Sequence, residues 1–380
     1  MKQRIIRAIA KQMVNVCAHR LAIPPAARWR DIIVSLADGI VSIDESGEAP
    51  EEPESCRSPQ ELGSFYEQML RAEDSAQKKS QGIFYTPQGI AKILCEKARV
   101  TERTASIIDP ACGTGSILLE VAQVVRPEAI FGMDIDPIAV WIARFSLAIE
   151  TRRTASEDLE MWKKHIVAGD ALSPEAATRT YQVVVGNPPW VSFAGRSAAP
   201  LSEEQRRDFR QRFKSFSRFP TLHGMFGERC AQLLEADGRM AILVPTSLAD
   251  LDGYSSARQA ISAEILVDHE LDELGFGQFE GVVQPTLVLS GTRIDQSCSS
   301  PAPWKLGGKD KDESKSLPKS LLDKLSVLRR FKEETFGELG FQSAGNIAKD
   351  FIGEIGSDPR FSIPLREGSD VVPFACLPPT

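Results

Sequence analysis

The sequence has 380 residues, of which 42% are hydrophobic and 26% are charged, and its formal net charge at pH 7 is -7. These fractions are typical of a soluble globular protein, and the length allows two domains or one large α/β domain with additions. The negative net charge argues against binding nucleic acid over the whole surface, so any such binding requires a local basic patch.

The seven cysteines are scattered, and none belongs to a Cys-x-x-Cys pair. This usage predicts free thiols in a reducing cytoplasm. The four histidines have no metal-ligand spacing relative to one another or to the cysteines, so we expect no metal site. No apolar run approaches membrane-spanning length, and Arg7, Lys11 and Gln12 interrupt the first apolar segment. We therefore expect a cytoplasmic protein with no signal peptide and no membrane partner.

The first part of the chain, residues 1–80, is predicted to be a helical region. Apolar residues recur at helical spacing up to about residue 43, which predicts two helices. Residues 44–59 are acidic and rich in turn formers, which indicates a solvated linker. An amphipathic helix is predicted from Gln60 to Ala76, and a basic patch follows at Lys78 and Lys79.

A helix is predicted from Gln88 to Lys97, with Thr86 as its N-cap and Pro87 at the first helical position. The backbone amides at such a helix start could receive an anion, for example a carboxylate. An ordinary capped helix explains the same residues and is the commoner case.

A strand at Ile107 and Ile108 runs into a glycine-rich turn, Asp109-Pro110-Ala111-Cys112-Gly113-Thr114-Gly115-Ser116, and then into a helical pattern. This order is typical of the nucleotide crevice of a doubly wound sheet, where small residues let a ligand approach the backbone. The turn lacks the Lys-Ser/Thr of a P-loop and the Gly-x-Gly-x-x-Gly spacing, which disfavours a triphosphate or a nicotinamide dinucleotide.

Acidic residues follow the next two predicted strands. Strand Ala129 to Met133 ends at Asp134, at the position where a ribose diol is usually held, whereas Asp136 precedes Pro137 and is predicted to cap the next helix. Strand His165 to Ala168 is followed by Asp170, which could accept a bond from an adenine amino group. Solvated acids at strand ends are common, so the recurrence carries more weight than either residue alone.

The central motif is Asn187-Pro188-Pro189-Trp190, which follows a buried strand over residues 183–185 and Gly186. An amide oxygen, a proline carbonyl and an aromatic ring are suited to gripping a planar amino group and stacking on its ring, as for the exocyclic amine of a nucleobase. The alternative is a turn that simply ends the strand, because Asn and Pro both favour turns.

Arginine and lysine alternate with phenylalanine between Glu203 and Phe219, which fits a local footprint for a phosphate backbone. A solvated helix with its phenylalanines in the core is the alternative. Further strands are predicted at 238–245, 265–269 and 284–290, completing a domain over residues 81–295. Residues 296–320 have the composition of a flexible linker, and a helix over 321–334 begins the last region, 321–380.

Together, the Asp109 to Ser116 turn and the Asn187 to Trp190 motif closely resemble the S-adenosylmethionine-dependent adenine-N6 DNA methyltransferases of restriction-modification and phage-defence systems. Tyr85-Thr86-Pro87 lies upstream of the turn, as in the gamma-type arrangement of type I modification subunits and type IIG enzymes. The resemblance covers about residues 60–295. It implies an α/β fold with a doubly wound, Rossmann-like class I methyltransferase sheet.

The resemblance also implies residue roles. Thr86 would contact the methionine carboxylate, Asp109 and Gly113 the amino-acid end of the cofactor, Asp134 the ribose and Asp170 the adenine. The rest of the implied cofactor site comprises Ala111, Gly115, Ile135 and Ala171. The implied catalytic residues are Asn187 and Pro188, which would accept bonds from the target N6 amine, the rigid Pro189, and Trp190, which would stack on the base. Phe276 or Phe279 would flank its other face.

The implied activity is methylation of a flipped adenine in double-stranded DNA. Two alternatives share the fold and the motif: methylation of adenine in RNA, or of glutamine in a protein. A non-catalytic DNA-binding subunit that retains the fold is an alternative of another class. Residues 364–370 resemble the point at which a target-recognition domain begins in relatives, so a specificity subunit or recognition domain acting in trans is an expected partner.

Overall fold

A computed structural model gives the fold. The structure describes residues 2–20, 32–37, 56–73, 86–195, 198–269, 271–275, 277–278, 284–294, 304, 306–307, 371–372 and 375–376. Several predicted features lie outside these residues: Lys78, Lys79, Tyr85, Phe276, Phe279, residues 44–55 of the acidic linker, the helix over 321–334 and the tail at 364–370.

The chain divides into two compact units, Met1–Gly308 and Lys309–Thr380. In the second unit the described residues form one antiparallel pair, Val371–Val372 with Ala375–Cys376. The first unit holds the sheet and the helices described below.

The first unit is built on one mixed sheet of nine strands. The strands are β1 Ile107–Asp109, β2 Ile130–Asp134, β3 Ile166–Ala168, β4 Tyr181–Gly186, β5 Leu234–Pro245, β6 Ile265–Val267, β7 Leu271–Gly275, β8 Thr286–Arg293 and β9 Leu306–Gly307. Their order is β3-β2-β1-β4-β5-β8-β7-β9, and β6 also pairs with β8. Strands β1 to β5 pair in parallel, whereas β8 is antiparallel to β5, β6 and β7. The carboxyl ends of β1, β2 and β4 therefore meet at one edge of the sheet.

The helices flank this sheet. They are α1 Lys2–Arg20, α2 Pro59–Glu73, α3 Gln88–Lys97, α4 Ser116–Val121, α5 Pro137–Glu150, α6 Ser156–His165, α7 Glu203–Arg212, α8 Leu222–Gln232, α9 Ser247–Asp250 and α10 Ser255–Ser262. A helical turn also covers residues 32–35.

Both faces of the central strands are buried, and successive residues of a strand supply opposite faces. In β4, Val183 and Val185 pack in one hydrophobic cluster with α1 to α5, whereas Val184 packs in a second cluster with α8 and α10. Ile107 and Ile108 of β1 divide between the two clusters in the same way. This alternation on short apolar strands is what a doubly wound sheet requires, and it confirms the predicted fold class.

The N-terminal helices pack on the outer side of α5. The Trp141 indole donates to the Ile33 carbonyl at 2.9 Å, and the buried Arg144 guanidinium donates to the carbonyls of Leu36 at 3.1 Å and Ile166 at 2.7 Å. Ile9 and Met13 of α1 are fully buried in the same cluster as the sheet residues. The helical region at the start of the chain therefore shares its core with the sheet.

The antiparallel edge differs most from the sequence-based prediction. Strand β7 has the sequence Leu-Asp-Glu-Leu-Gly, which lacks β-branched residues. It forms a strand because its backbone pairs with β8. Leu306–Gly307, within the predicted linker 296–320, pairs with β7 as β9. The sheet therefore extends beyond residue 295.

Candidate active site

The glycine-rich turn joins β1 to α4 and is held between β1 and β2. Asp109 is 1% exposed, and its carboxylate accepts a bond from the Ala111 amide at 3.0 Å. The Cys112 amide donates to the Met133 carbonyl of β2 at 2.9 Å. Gly115 has φ of +89° and lies where a Cβ would be 3.2 Å from the Ala143 Cβ, so only glycine fits between the turn and α5. Gly113 has φ of +51°, but the space beside it is open.

At the end of β2, the Asp134 carboxylate binds the glycine-rich turn. It accepts bonds from the Gly113 amide at 2.8 Å and the Asp136 amide at 2.9 Å. Burial raises the pKa of this carboxyl, and the two amide bonds oppose the increase. The next residue, Ile135, has 75% of its side chain exposed. A polar acceptor and an exposed apolar side chain thus lie side by side at this strand end.

Asp136 caps α5, as predicted, by accepting a bond from the Ile138 amide at 2.9 Å. Its other oxygen accepts a bond from the Tyr66 hydroxyl of α2 at 2.5 Å. Burial is the main reason that the Tyr66 pKa is raised, and the negative charge of Asp136 adds to it. Helix α2 therefore contacts the rim of the site through the hydrogen bond from Tyr66 to Asp136.

Asp170 differs from the other two strand-end acids because it is exposed. One of its oxygens accepts a bond from the Leu172 amide at 2.9 Å, which fixes the turn after β3. Ala171 is buried beside it in a third hydrophobic cluster, together with Phe193, Phe213 and Met225. Ala111 and Met133 pack against this cluster, so it adjoins the turns after β1 and β2.

The Asn187-Pro188-Pro189-Trp190 motif begins directly after β4. A Cβ on Gly186 would lie 3.2 Å from an Asp109 carboxylate oxygen, so the backbone passes close to that buried acid. The Asn187 side chain is half-buried, and its amide nitrogen donates to the Thr86 hydroxyl at 3.2 Å. Pro188 is buried, whereas Pro189 is partly buried and Trp190 packs against the main core.

Thr86 does not cap the following helix, contrary to the sequence-based prediction. Pro87 is the N-cap of α3, and its carbonyl accepts bonds from the amides of Ile90 and Ala91 at 2.9 and 3.0 Å. Because the cap lies one residue later than predicted, the buried Thr86 hydroxyl is available to Asn187. The contact joins residues 101 positions apart, and no pattern in the sequence pointed to it.

The acidic residues make the site electrostatically unusual. Burial raises the pKa of the Asp109 carboxyl to about 8, and the negative charge of Asp134 contributes to the increase, while the Ala111 bond opposes it. The side chain is therefore mostly protonated at neutral pH in the absence of a neighbouring cation. Strongly shifted carboxyls in a crevice are candidates for functional residues.

Of the residues singled out in the sequence, the described elements bring together Thr86, Asp109, Asp134 and Asn187 with the turn containing Gly113, while Asp170 lies at the exposed margin after β3. In the described part of the chain, no group of three or more His, Cys, Asp or Glu residues could hold a metal ion. None of the described helices is long and apolar enough to cross a membrane. Four of the described cysteines are free thiols: Cys17, Cys95, Cys112 and Cys230.

The fold and this crevice define the class of protein. Five parallel strands, with an antiparallel strand inserted at one edge and a glycine-rich turn after the first, form the class I methyltransferase fold. A solved structure of the type IIG restriction endonuclease BpuSI has the same fold, with a TM-score of 0.51 and 18% identity over 78% of this chain and 38% of that one.

The chain belongs to the N-6 DNA methylase family, whose model matches residues 57–271. It is 26% identical over 211 residues to the type II methyltransferase M.VspI of Vibrio sp. (strain 343), a match that covers 55% of this chain and 47% of the relative. It is 29% identical over 160 residues to the methylase subunit of the type I restriction enzyme MpnII of Mycoplasma pneumoniae, which covers 38% of this chain and 28% of that protein. The chain thus spans about half the length of M.VspI and less of the MpnII subunit.

Proposed function

We propose that this protein transfers a methyl group from S-adenosylmethionine to the N6 amine of an adenine flipped out of duplex DNA. The observation that carries the proposal is the placement of the Asn187 amide. It follows β4, is oriented by Thr86, and lies beside the crevice that contains Asp109. Membership of the N-6 DNA methylase family supports the same reaction.

The crevice suits S-adenosylmethionine, since it offers acceptors and open space where that molecule needs them. The Asp134 carboxylate accepts one amide bond on each oxygen, which leaves lone pairs for the two ribose hydroxyls. The exposed Ile135 side chain offers an apolar surface for the adenine ring, and the exposed Asp170 offers an acceptor for its amino group.

The amino-acid end of the cofactor is assigned to the turn after β1. The open space beside Gly113 leaves room for it, with Ala111 and Gly115 shaping the backbone and Ala171 packed below. Asp109 would face its ammonium group, and the Thr86 hydroxyl has a proton to donate to its carboxylate. Bound there, the cofactor supplies the methyl group as a sulfonium, with S-adenosylhomocysteine as the leaving group.

Asn187 and Pro188 are assigned to the target amine. The side-chain oxygen of Asn187 and the carbonyl of Pro188 would each accept one N6 hydrogen, which favours a pyramidal nitrogen and stabilises the positive charge that develops on it. The methylated nitrogen would then release one proton to solvent, which gives neutral N6-methyladenine. The adenine must leave the duplex, because enzymes that react with a base cannot reach it within the stack. Stacking on Trp190 would offset part of the unstacking cost at about 1 to 3 kcal/mol per base.

The test is transfer of labelled methyl from S-adenosylmethionine to DNA, RNA and protein offered in parallel, followed by nucleoside and amino-acid analysis. Label in N6-methyladenine of DNA supports the proposal. Label in RNA or in glutamine would overturn the substrate assignment. Cofactor binding without transfer to any substrate, with or without an added specificity subunit, would favour a non-catalytic role.

A further inference from the structure

A basic pocket of about 690 Å³ lies downstream of the Asn187 to Trp190 motif and is not used in the mechanism above. Four cationic side chains line it: Arg206, Arg210, Lys214 and Arg218. None of the described lining residues is acidic. In a chain whose net charge is -7, this pocket concentrates positive charge locally.

Most of these cations are free to bind a ligand. Arg206 lies 3.9 Å from the exposed Glu203, a weak contact in solvent. Arg210, Lys214 and Arg218 are exposed and form no ion pair with any residue in the described part of the chain. Arg212, in contrast, does not line the pocket and pairs with Asp208. The pocket therefore holds cations that the protein itself does not neutralise.

The walls of the pocket are formed by buried, packed side chains. Phe193, Phe213 and Phe216 line it and are all buried in the third hydrophobic cluster. The loop after α7 is anchored by Glu228 of α8, which is 3% exposed and accepts bonds from the amides of Lys214 at 3.1 Å and Ser215 at 2.8 Å. A buried carboxylate satisfied by two amides fixes the backbone at Lys214, one of the four cationic residues.

The pocket adjoins the segment that follows the Asn187 to Trp190 motif. Residues 191–193 run alongside residues 220–222: Ser192 bridges to Thr221, the Phe193 amide donates to the Pro220 carbonyl at 3.0 Å, and the Leu222 amide donates to the Val191 carbonyl at 2.8 Å. Phe193 lies three residues after Trp190, which is a span of at most ~11 Å. At ~3.4 Å of rise per nucleotide, the wall of the pocket at Phe193 therefore begins within about three nucleotides of Trp190.

We infer that this pocket binds backbone phosphates of the DNA strand that carries the target adenine, within a few nucleotides of the flipped base. The inference rests on the proposed function for the identity of the strand. Arginine and lysine side chains neutralise phosphates without reading sequence, so the pocket sets the register of the strand and not the recognition sequence. The phenylalanines that alternate with the cations form the wall of the pocket. Both interpretations of this segment therefore apply, because the phenylalanines are in the core and the cations are available to phosphates.

The experiment measures binding of the full chain to a fluorescein-labelled DNA duplex of randomised sequence, as a function of salt and with S-adenosylhomocysteine present to prevent turnover. Each lost phosphate contact should make the slope of log affinity against log salt less negative by ~0.9. We expect this change for Arg210→Gln and for Lys214→Gln. The matched control is Arg207→Gln, because Arg207 is exposed on the same helix but does not line the pocket.

The outcomes separate this inference from the proposed function. Slopes altered in both pocket variants but not in Arg207→Gln support the phosphate pocket, whether or not methyl transfer is detected. Equal slopes for all three variants and the wild type would overturn it, even if the wild type methylates DNA. Thermal unfolding and cofactor binding of each variant exclude a loss of fold, and displacement of the DNA by an RNA duplex at equal concentration would overturn the assignment to DNA.

Discussion

Thr86→Val should lower the catalytic rate, although Thr86 lies outside the Asn-Pro-Pro-Trp motif. The valine has nearly the same shape but no hydroxyl, so the Asn187 amide nitrogen loses its partner at 3.2 Å. Without that partner the amide can rotate, which places its NH₂ group where the oxygen must accept the N6 hydrogen. A donor would then face a donor, and the positive charge of the transition state would lose one of its two acceptors.

The size of the effect follows from the environment of the bond. Thr86 is 5% exposed, so water does not readily replace its hydroxyl. An unsatisfied buried donor costs about 1 to 3 kcal/mol, which corresponds to a loss of roughly 5- to 160-fold in rate if the transition state bears the whole cost. Thr86→Ser keeps the hydroxyl and should stay close to the wild-type rate.

Steady-state kinetics with S-adenosylmethionine varied at saturating DNA would measure this effect, because they give both kcat and the KM for the cofactor. If Thr86 contacted only the methionine carboxylate, Thr86→Val would raise KM for the cofactor and leave kcat unchanged. A hydroxyl has one donor and two acceptor positions, so it can serve both groups, and we expect kcat and cofactor KM to change together. An unchanged kcat in a folded Thr86→Val variant would refute the positioning role.

Three further predictions concern the same crevice. Asn187→Ala should lower methyl transfer by roughly 100- to 1,000-fold, the typical effect of removing one group that stabilises transition-state charge, while calorimetry shows unchanged cofactor binding; near wild-type turnover would contradict the catalytic assignment. Asp109→Asn should become more stable relative to the wild type as pH rises toward about 8, because the folded wild type holds a proton that the unfolded chain releases. The difference should grow by at most about 1.4 kcal/mol per pH unit in urea denaturation, and a constant difference would count against a raised pKa. Tyr66→Phe should reduce the free energy of unfolding by about 1.5 to 3 kcal/mol, since it removes a bond to the Asp136 carboxylate; an unchanged denaturation midpoint would show that the bond contributes nothing.

The parallel half of the sheet could be predicted from the sequence because local patterns specify it. Short runs of β-branched and apolar residues, each followed by a turn and a helical pattern, are typical of βα units, and they identified β1 to β4 to within about two residues. At the antiparallel edge, β6 and β8 were predicted from the sequence at 265–269 and 284–290, but β7 and β9 were not. Strands β7 and β9 are polar or very short, and they depend on a neighbouring strand that comes later or earlier in the chain.

The candidate site was predicted as a set of residues but not as a set of contacts. The carboxyl ends of parallel strands meet at one edge of a sheet, so Asp109, Asp134 and Asn187 could be placed together from their positions after successive strands. Whether the Thr86 hydroxyl is available to orient Asn187 depends on whether α3 begins at Gln88 or one residue earlier, a detail below the accuracy of helix boundaries in a sequence. The N-cap was therefore assigned wrongly, and the place of Thr86 in the candidate site remains a prediction.

The buried carboxylates explain why this crevice suits a cationic cofactor and why it costs stability without one. Burial raises the pKa of Asp109, and the negative charge of the nearby Asp134 raises it further. The ionised form of Asp109 is therefore unfavourable in the free protein. S-adenosylmethionine carries an ammonium and a sulfonium group, and a cation beside a carboxyl favours its ionised form. The pKa of Asp109 should therefore fall when the cofactor binds, and the pH-dependent stability difference between wild type and Asp109→Asn should shrink at saturating cofactor. A difference of the same slope with and without cofactor would mean that Asp109 does not face the cationic end.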